Sequence, residues 1–229
     1  MPGGLPAGVR VWLLSFVLAE QRLALLLPLL SAAERARCLR YRSGADRIRF
    51  AAARAVLRRR LGERLGLPAA EVGIVIGPYG KPMLRGGAVP HFNLSHGGAW
   101  GLLAMSEAGP VGADIEAVDG RLGRAALAGC LTPAERRYCG RRDAEALFRV
   151  WCGKEAVLKA LGTGFAADPA AVAAVPAAGR RYAVALPPGL PATRAWQLPA
   201  PDGFAAALAL SDAIPAVLGR QAEMAAEGG

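Results

Sequence analysis

Three carboxylates and two ammonium groups fall close together in two short stretches of this chain. Asp114 and Glu116 stand two apart in Val111-Gly112-Ala113-Asp114-Ile115-Glu116, a spacing that puts both on one face of a strand. Like charges so close repel, and a divalent cation removes that cost. Mg²⁺ takes carboxylate oxygens and fills its other positions with water and phosphate. Glu155 and Lys159 stand one helical turn apart in Trp151-Cys152-Gly153-Lys154-Glu155-Ala156-Val157-Leu158-Lys159, the favourable order for a pair on a helix face. With Lys154 beside it, Glu155 is expected to stay ionised, as a metal ligand or a charge-holding base must. Taken alone, this nonapeptide is equally a solvated salt bridge, and the Asp-x-Glu equally the wet end of a strand. Glu155 as a third ligand beside Asp114 and Glu116 would join the two stretches.

A second group of residues suits phosphate. His91-Phe92-Asn93-Leu94-Ser95-His96 is expected to end a strand in a polar, Gly-flanked turn, where a hydroxyl, a His and exposed amides could converge on oxygens. Gly80-Lys81-Pro82 offers a Lys on a stiff turn, but no GxxxxGK[ST] loop and no dinucleotide fingerprint occurs. Arg47, Arg54, Arg58, Arg59 and Arg60 make one stretch strongly basic, and Arg35, Arg37, Arg40 and Arg42 another. Such residues grip phosphate or nucleic acid, or are solvated, as Arg59 and Arg60 are expected to be.

The elements that must position these residues are legible from pattern. Val9 to Leu18 reads as a buried strand. Ser31-Ala32-Ala33-Glu34 and Thr132-Pro133-Ala134-Glu135 are capping boxes, the second with Pro at the first helical position. Asp46 to Leu65 repeats apolar residues at helical spacing and stops at Gly66; Leu147 to Leu161 does so and stops at Gly162 and Gly164. Strands are expected at Val72 to Ile76, Phe92 to Leu94, Trp100 to Met105, Val111 to Ile115, Arg181 to Leu186 and Phe204 to Leu210, with a Gly77-Pro78-Tyr79-Gly80 turn. The tail after Ala213 is Ala-, Glu- and Gly-rich and is expected to fray.

The chain also repeats itself. Leu30-Ser31-Ala32-Ala33-Glu34-Arg35 matches Leu131-Thr132-Pro133-Ala134-Glu135-Arg136 at an offset of 101, and Cys38 matches Cys139. Ala55-Val56-Leu57-Arg58 matches Ala156-Val157-Leu158-Lys159 at the same offset, with Phe50 on Trp151 and Arg54 on Glu155. Trp100 matches Phe204, and Leu94 matches Leu198, at 104. Two separated blocks at one offset indicate two copies of an α/β unit, with an active site expected in the cleft between them. Glu107 to Pro110 is the expected boundary, giving halves at 1–108 and 109–229.

Composition narrows the function. The 229 residues are 53% hydrophobic, with 28 Lys and Arg against 18 Asp and Glu, a net charge of +10. That excess suits a polyanionic partner, whether nucleic acid, a phosphorylated small molecule or an acidic protein, and composition bias accounts for part of it. Four cysteines without CxxC spacing, beside only two His, argue against zinc and for free thiols in a reducing compartment. The apolar runs Val11 to Leu18 and Leu23 to Leu30 are split by Glu20, Gln21 and Arg22 and are too short to span a bilayer. No A-x-A site follows directly, so a cytoplasmic protein without a membrane anchor is expected.

Taken in order, Gly80-Lys81-Pro82, Phe92-Asn93-Leu94-Ser95-His96, the Val111–Glu116 hexapeptide and the Trp151–Lys159 nonapeptide resemble the 4′-phosphopantetheinyl transferases, of the monomeric Sfp-type that activates carrier proteins. The resemblance covers residues 80 to 160, with the basic Asp46 to Arg58 helix in support. It departs at Ala113, where Ile or Val is usual, and at Gly97, where Ser or Thr is common. It implies an α+β pseudo-dimer of two similar α/β halves, each a small, mostly antiparallel sheet packed on helices. Coenzyme A would be the co-substrate, giving its phosphopantetheine arm to a serine of an acyl or peptidyl carrier protein of polyketide or non-ribosomal peptide synthesis. Adenosine 3′,5′-bisphosphate would leave. Asp114, Glu116 and Glu155 would hold Mg²⁺, with Mn²⁺ as an alternative, and Asp114, Glu155 and Lys159 would be catalytic. Glu155 or a metal-bound water would take the serine proton. Lys154 and Lys159 would neutralise phosphate oxygens beside Asp114. Lys81, Pro82, Ser95, His96, Arg37, Arg47 and Arg54 would bind the nucleotide and its 3′-phosphate. Acidic carriers give the +10 charge a second use, and neither nucleic acid nor membrane is expected as a partner.

Overall fold

The two halves begin alike. β1 (Val9–Ser15) pairs antiparallel with β5 (Trp100–Ser106), and β6 (Val111–Ala117) pairs antiparallel with β10 (Phe204–Ser211). Val9 lies opposite Ser106, and Val111 opposite Leu210, so the pairings share a register. The computed structural model describes residues 4–16, 22–77, 79–87, 89–118, 127–140, 144–162 and 168–212. Pro78, Gly164, the end of the first predicted strand beyond Phe16, and the tail from Ala213 lie outside them.

The first sheet runs β1-β5-β4, where β4 is His91–Gly97. The second runs β6-β10-β9-β8-β7, with β7 at Ala173–Ala177, β8 at Arg181–Ala185 and β9 at Thr193–Leu198. The hairpin of the first half, β2 (Ile74–Ile76) with β3 (Pro82–Leu84), stands apart as its own two-stranded sheet. β3, β7 and β9 had no sequence signal: Ala- and Pro-rich segments such as Ala173-Ala174-Val175-Pro176-Ala177 lack the β-branched runs that mark strands. The architecture is the α+β pseudo-dimer that the repeat predicts.

Helices cover the outer faces. α1 (Leu23–Leu26) and α2 (Ala32–Arg40) lead into α3 (Gly44–Leu65); α4 (Pro133–Cys139) leads into α5 (Ala144–Leu161). Both capping boxes form: Ser31 accepts from the Glu34 N–H and Thr132 from the Glu135 N–H, while each Glu reaches back to its cap. α3 starts two residues before the predicted Asp46, because Ser43 caps it, and it ends where Gly66 turns left-handed at φ 69°.

Packing makes four layers. Leu57 and Leu61 of α3 pack on Leu103 and Met105 of β5. The alternate β5 residues, Leu102 and Ala104, meet Val111, Ala113 and Ile115 of β6 and Leu208 and Leu210 of β10. On the far face of β10, Ala205, Ala207 and Ala209 pack against Ala156, Val157 and Ala160 of α5. β10 is thus covered on both sides, which is why it carries almost no polar residue. The sheets meet at a seam where the Ala113 N–H donates to the side-chain Oδ1 of Asn93 at 2.8 Å. Gly97 belongs there for room: a Cβ would lie 2.7 Å from the Ile115 carbonyl oxygen. That closeness accounts for its departure from Ser or Thr.

Candidate active site

Alternation on β6 turns Val111, Ala113 and Ile115 into the inter-sheet core and Gly112, Asp114 and Glu116 towards α5. Gly112 makes the approach close, since a Cβ there would lie 2.0 Å from the Ala156 carbonyl oxygen. Asp114, 1% exposed, therefore meets α5 directly. Its Oδ1 accepts from Lys159 Nζ at 2.5 Å and from Ser95 Oγ at 2.8 Å. Lys159 Nζ also lies 3.8 Å from Glu155 Oε2. Asp114 Oδ2 and Glu155 Oε1 are buried with no hydrogen-bond partner.

The cluster is electrostatically tense. Burial, then the Asp114 carboxylate, pushes Glu116 up to about 7, against Lys159 and with Glu155 adding to the rise. Burial works against the Lys159 ammonium, but Asp114, Glu155 and Glu116 outweigh it and raise its affinity for the proton. Glu155 is also raised, by burial foremost and by Asp114, with Lys159 opposing. Of the two lysines expected to flank Glu155 only Lys159 lies beside it, and burial works against the charge that Lys159 favours.

Lys154 is elsewhere. It is wholly buried, its Nζ 2.8 Å from Glu135 Oε2 and 2.6 Å from the carbonyl oxygens of Cys130 and Pro169. Adjacent residues on a helix point about 100° apart, so Lys154 cannot share the face of Glu155 and Lys159. The first half holds a counterpart. Buried Arg58 of α3 pairs with the capping Glu34 and donates to the carbonyls of Ala69, Ala70 and Val72. Each half thus ties its capping glutamate to its long helix through a buried cation. Lys154 is removed from the phosphate-binding set on this geometry.

The His91–His96 segment is not a turn but lies within β4, with Gly98 and Ala99 beyond it. Strand alternation therefore separates Ser95 from His96. Ser95 faces Asp114, whereas His96 lines a cavity of about 150 Å³ on the α3 side with Arg37, Arg54, Phe50 and Pro82. The guanidiniums of Arg37 and Arg54 lie 5.3 and 5.8 Å from the Phe50 ring centre, and Tyr41 packs on the same ring at 5.5 Å. Glu34 steadies Arg54 at 3.8 Å. Phe50 and Tyr41 as an aromatic platform escaped sequence reasoning, which took Phe50 for helix core; its match to Trp151 was the available signal. Arg47 donates its Nε to the Tyr41 carbonyl at 2.7 Å and does not line this cavity. Lys81 is not free for phosphate either: its Nζ donates to the carbonyls of Val111 at 3.0 Å and Lys159 at 2.5 Å.

A second cavity, of about 280 Å³, lies across the seam between the halves. Tyr79, Lys81, Pro82, Asn93 and Leu94 line it from one side, Glu155, Leu158 and Lys159 from the other. Pro82, Asn93 and Leu94 line both cavities, so the basic, aromatic site and the acidic cluster adjoin. Among the described residues, no three His, Cys, Asp or Glu side chains converge closely enough to form a ready metal centre. Lys159 lies among the carboxylates instead. Two orphaned, buried carboxylate oxygens nevertheless fit a hard cation by donor type.

The chain is thus a two-half α+β protein with an acidic cluster and a basic, aromatic cavity adjoining at its seam. Family models match both halves: that described as 4′-phosphopantetheinyl transferase, N-terminal, matches residues 18–108, and that of the 4′-phosphopantetheinyl transferase superfamily matches residues 110–209. The 4′-phosphopantetheinyl transferase HetI of Nostoc sp. is 33% identical over 168 residues, 69% of this chain and 70% of HetI. The psf-1 enzyme of Bacillus pumilus is 33% identical over 64% of each chain, and slr0495 of Synechocystis sp. is 34% identical over 59% of this chain. The chain spans 58% of the length of slr0495 and 64% of psf-1. It belongs to the 4′-phosphopantetheinyl transferase family.

Proposed function

We propose that the protein transfers the 4′-phosphopantetheine arm of coenzyme A to a serine of apo acyl or peptidyl carrier proteins. The observation that carries this reading is the junction of the Asp114, Glu155 and Lys159 cluster with the Arg37, Phe50, Arg54 and His96 cavity. Arg37, Arg54 and His96 would take the nucleotide and its 3′-phosphate, with Phe50 and Pro82 as apolar walls. The serine oxygen attacks the phosphorus that bears the pantetheine arm. The bond from that phosphorus to the bridging oxygen breaks, and adenosine 3′,5′-bisphosphate leaves. Lys159 offsets charge gathering on the phosphate oxygens, held in line by Asp114 and Ser95. Glu155, whose carboxyl is raised, or a water held by a metal ion would receive the serine proton.

Asp114, Glu116 and Glu155 would hold Mg²⁺, or Mn²⁺ in its place. When bound, the ion supplies charge neutralisation of the pyrophosphate. The carriers in this reading are those of polyketide or non-ribosomal peptide synthesis. We read residues 1–108 as the coenzyme A half and 109–229 as the metal and catalytic half, acting as a monomer. Cys38, Cys130, Cys139 and Cys152 form no disulfide, which favours the cytoplasm, and among the described residues no helix is long and apolar enough to cross a membrane.

The test is a mass measurement. Apo carrier, coenzyme A and Mg²⁺ should yield a carrier heavier by one phosphopantetheine arm, and chelation should stop the gain until Mg²⁺ or Mn²⁺ is restored. No product across a panel of carriers would sink the reading, and product undiminished by chelation would sink its metal.

A further inference from the structure

Lys81 closes the turn after β2, its carbonyl accepting from the Gly77 N–H at 2.9 Å, yet its side chain leaves its own half. The ammonium reaches the carbonyls of Val111, which opens β6, and Lys159, in the last turn of α5. The carbonyls of a last helical turn lack intrahelical donors and carry the negative end of the helix dipole, so a cation there is favourable. Among the described residues no carboxylate pairs with it, and burial pushes it down to about 8. An ammonium buried without an anion does not by itself stabilise a fold.

We propose that Lys81 is a positioning residue, an ammonium strut from the first half that fixes the backbone of the two second-half elements carrying Asp114 and Lys159. Val111 lies three residues before Asp114 on the same strand. The other anchor is the backbone of Lys159 itself, whose Nζ meets Asp114 Oδ1 at 2.5 Å. Lys81 itself lines the seam cavity, and Pro82, the next residue along, lines both cavities. One dipeptide thus joins the wall of the nucleotide cavity to the frame of the acidic cluster. The strut sets how far Lys159 and Asp114 stand from a phosphate bound across the seam.

This inference rests on reading the seam as the transfer site, so its test carries one arm that needs no turnover. In the carrier-labelling assay, Lys81→Met should lower kcat roughly 10- to 100-fold, as loss of an outer-shell support does. KM for coenzyme A should stay within about twofold, and Lys81→Arg, which keeps donors to both carbonyls, should recover part of the loss. A raised KM at unchanged kcat would mean that Lys81 touches coenzyme A and would overturn the proposal. Unchanged kcat and KM with only a lower melting temperature would overturn it as well. The second arm acetylates lysines on the unaltered protein and reads Lys81 by peptide mass. Low labelling, the same with or without adenosine 3′,5′-bisphosphate, supports the strut even if Lys81→Met does not fold. Ready labelling that the nucleotide suppresses refutes it. Inactivity of the unaltered protein would count against the transferase reading alone.

Discussion

One carboxylate oxygen of Asp114 is shared by Ser95 and Lys159, and the other has no partner. Asp114→Asn keeps the shape and one accepting oxygen but removes the negative charge that pairs with Lys159, so kcat should fall on the order of a hundredfold or more. Circular dichroism should stay unchanged, and full activity in that variant would remove Asp114 from the chemistry. Lys154 gives the opposite expectation. Lys154→Met strands the buried Glu135 carboxylate and should cost about 3–5 kcal/mol in urea unfolding, part of which Lys154→Met with Glu135→Gln, which removes the charge and keeps a capping side chain, should recover. A variant of normal stability with weakened coenzyme A binding would return Lys154 to the site. Glu116 makes stability depend on pH. Its folded carboxyl is pushed up to about 7, whereas the unfolded group titrates near ~4.3. Between those values the folded protein keeps a proton that the unfolded chain has lost, so metal-free stability declines as pH rises through that window. Thermal melts of Glu116→Gln should lack that part of the decline.

At the scale of elements, β4 and the α5–β6 contact decide what the motif residues can do. Neighbours on β4 point to opposite faces, so Ser95→Ala should act mainly on kcat and His96→Ala mainly on KM for coenzyme A. Equal effects on both parameters in both variants would contradict the division. The α5–β6 contact depends on Gly112: with a Cβ 2.0 Å from a backbone oxygen, helix and strand must part in Gly112→Ala. Overpacking of this kind costs typically about 1–3 kcal/mol and here should reach the upper end. Activity should fall further than stability does, because Asp114 and Lys159 would separate. Both glutamates of the capping boxes serve twice, at a helix start and beneath a long-helix cation. That second use explains why Glu135 is fully buried although it begins a helix.

At the scale of the whole molecule, the +10 charge is unevenly useful. Arg58 and Lys154 are sealed in ion pairs and Lys81 is turned into the seam, while Arg37 and Arg54 remain beside the Phe50 ring. KM for coenzyme A should therefore rise with salt in the parent protein, and less so in Arg37→Ala with Arg54→Ala. The first β-hairpin leaves its sheet where the second keeps its place, and the strand left uncovered, β4, lies against β6. The two copies are thus not interchangeable: the seam uses the last strand of one and the first strand of the other.

The sequence by itself determined the helices with their caps, the two-copy organisation, the family, and the residue types of the acidic cluster. Those properties are written locally, in periodicity, in short spacings and in a repeated offset. Only the tertiary structure decided direction. Lys154 and Lys159 look alike in the nonapeptide, yet one meets Glu135 and the other Asp114, because helix rotation against β6 assigns their faces. Ser95 and His96 are adjacent in sequence but part company once their segment is a strand and not a turn. Lys81 looked free on a Gly-Pro turn, and what claims it lies 30 and 78 residues away, at Val111 and Lys159. Contacts at that separation leave no local pattern, since they exist only when packing has brought the two halves together.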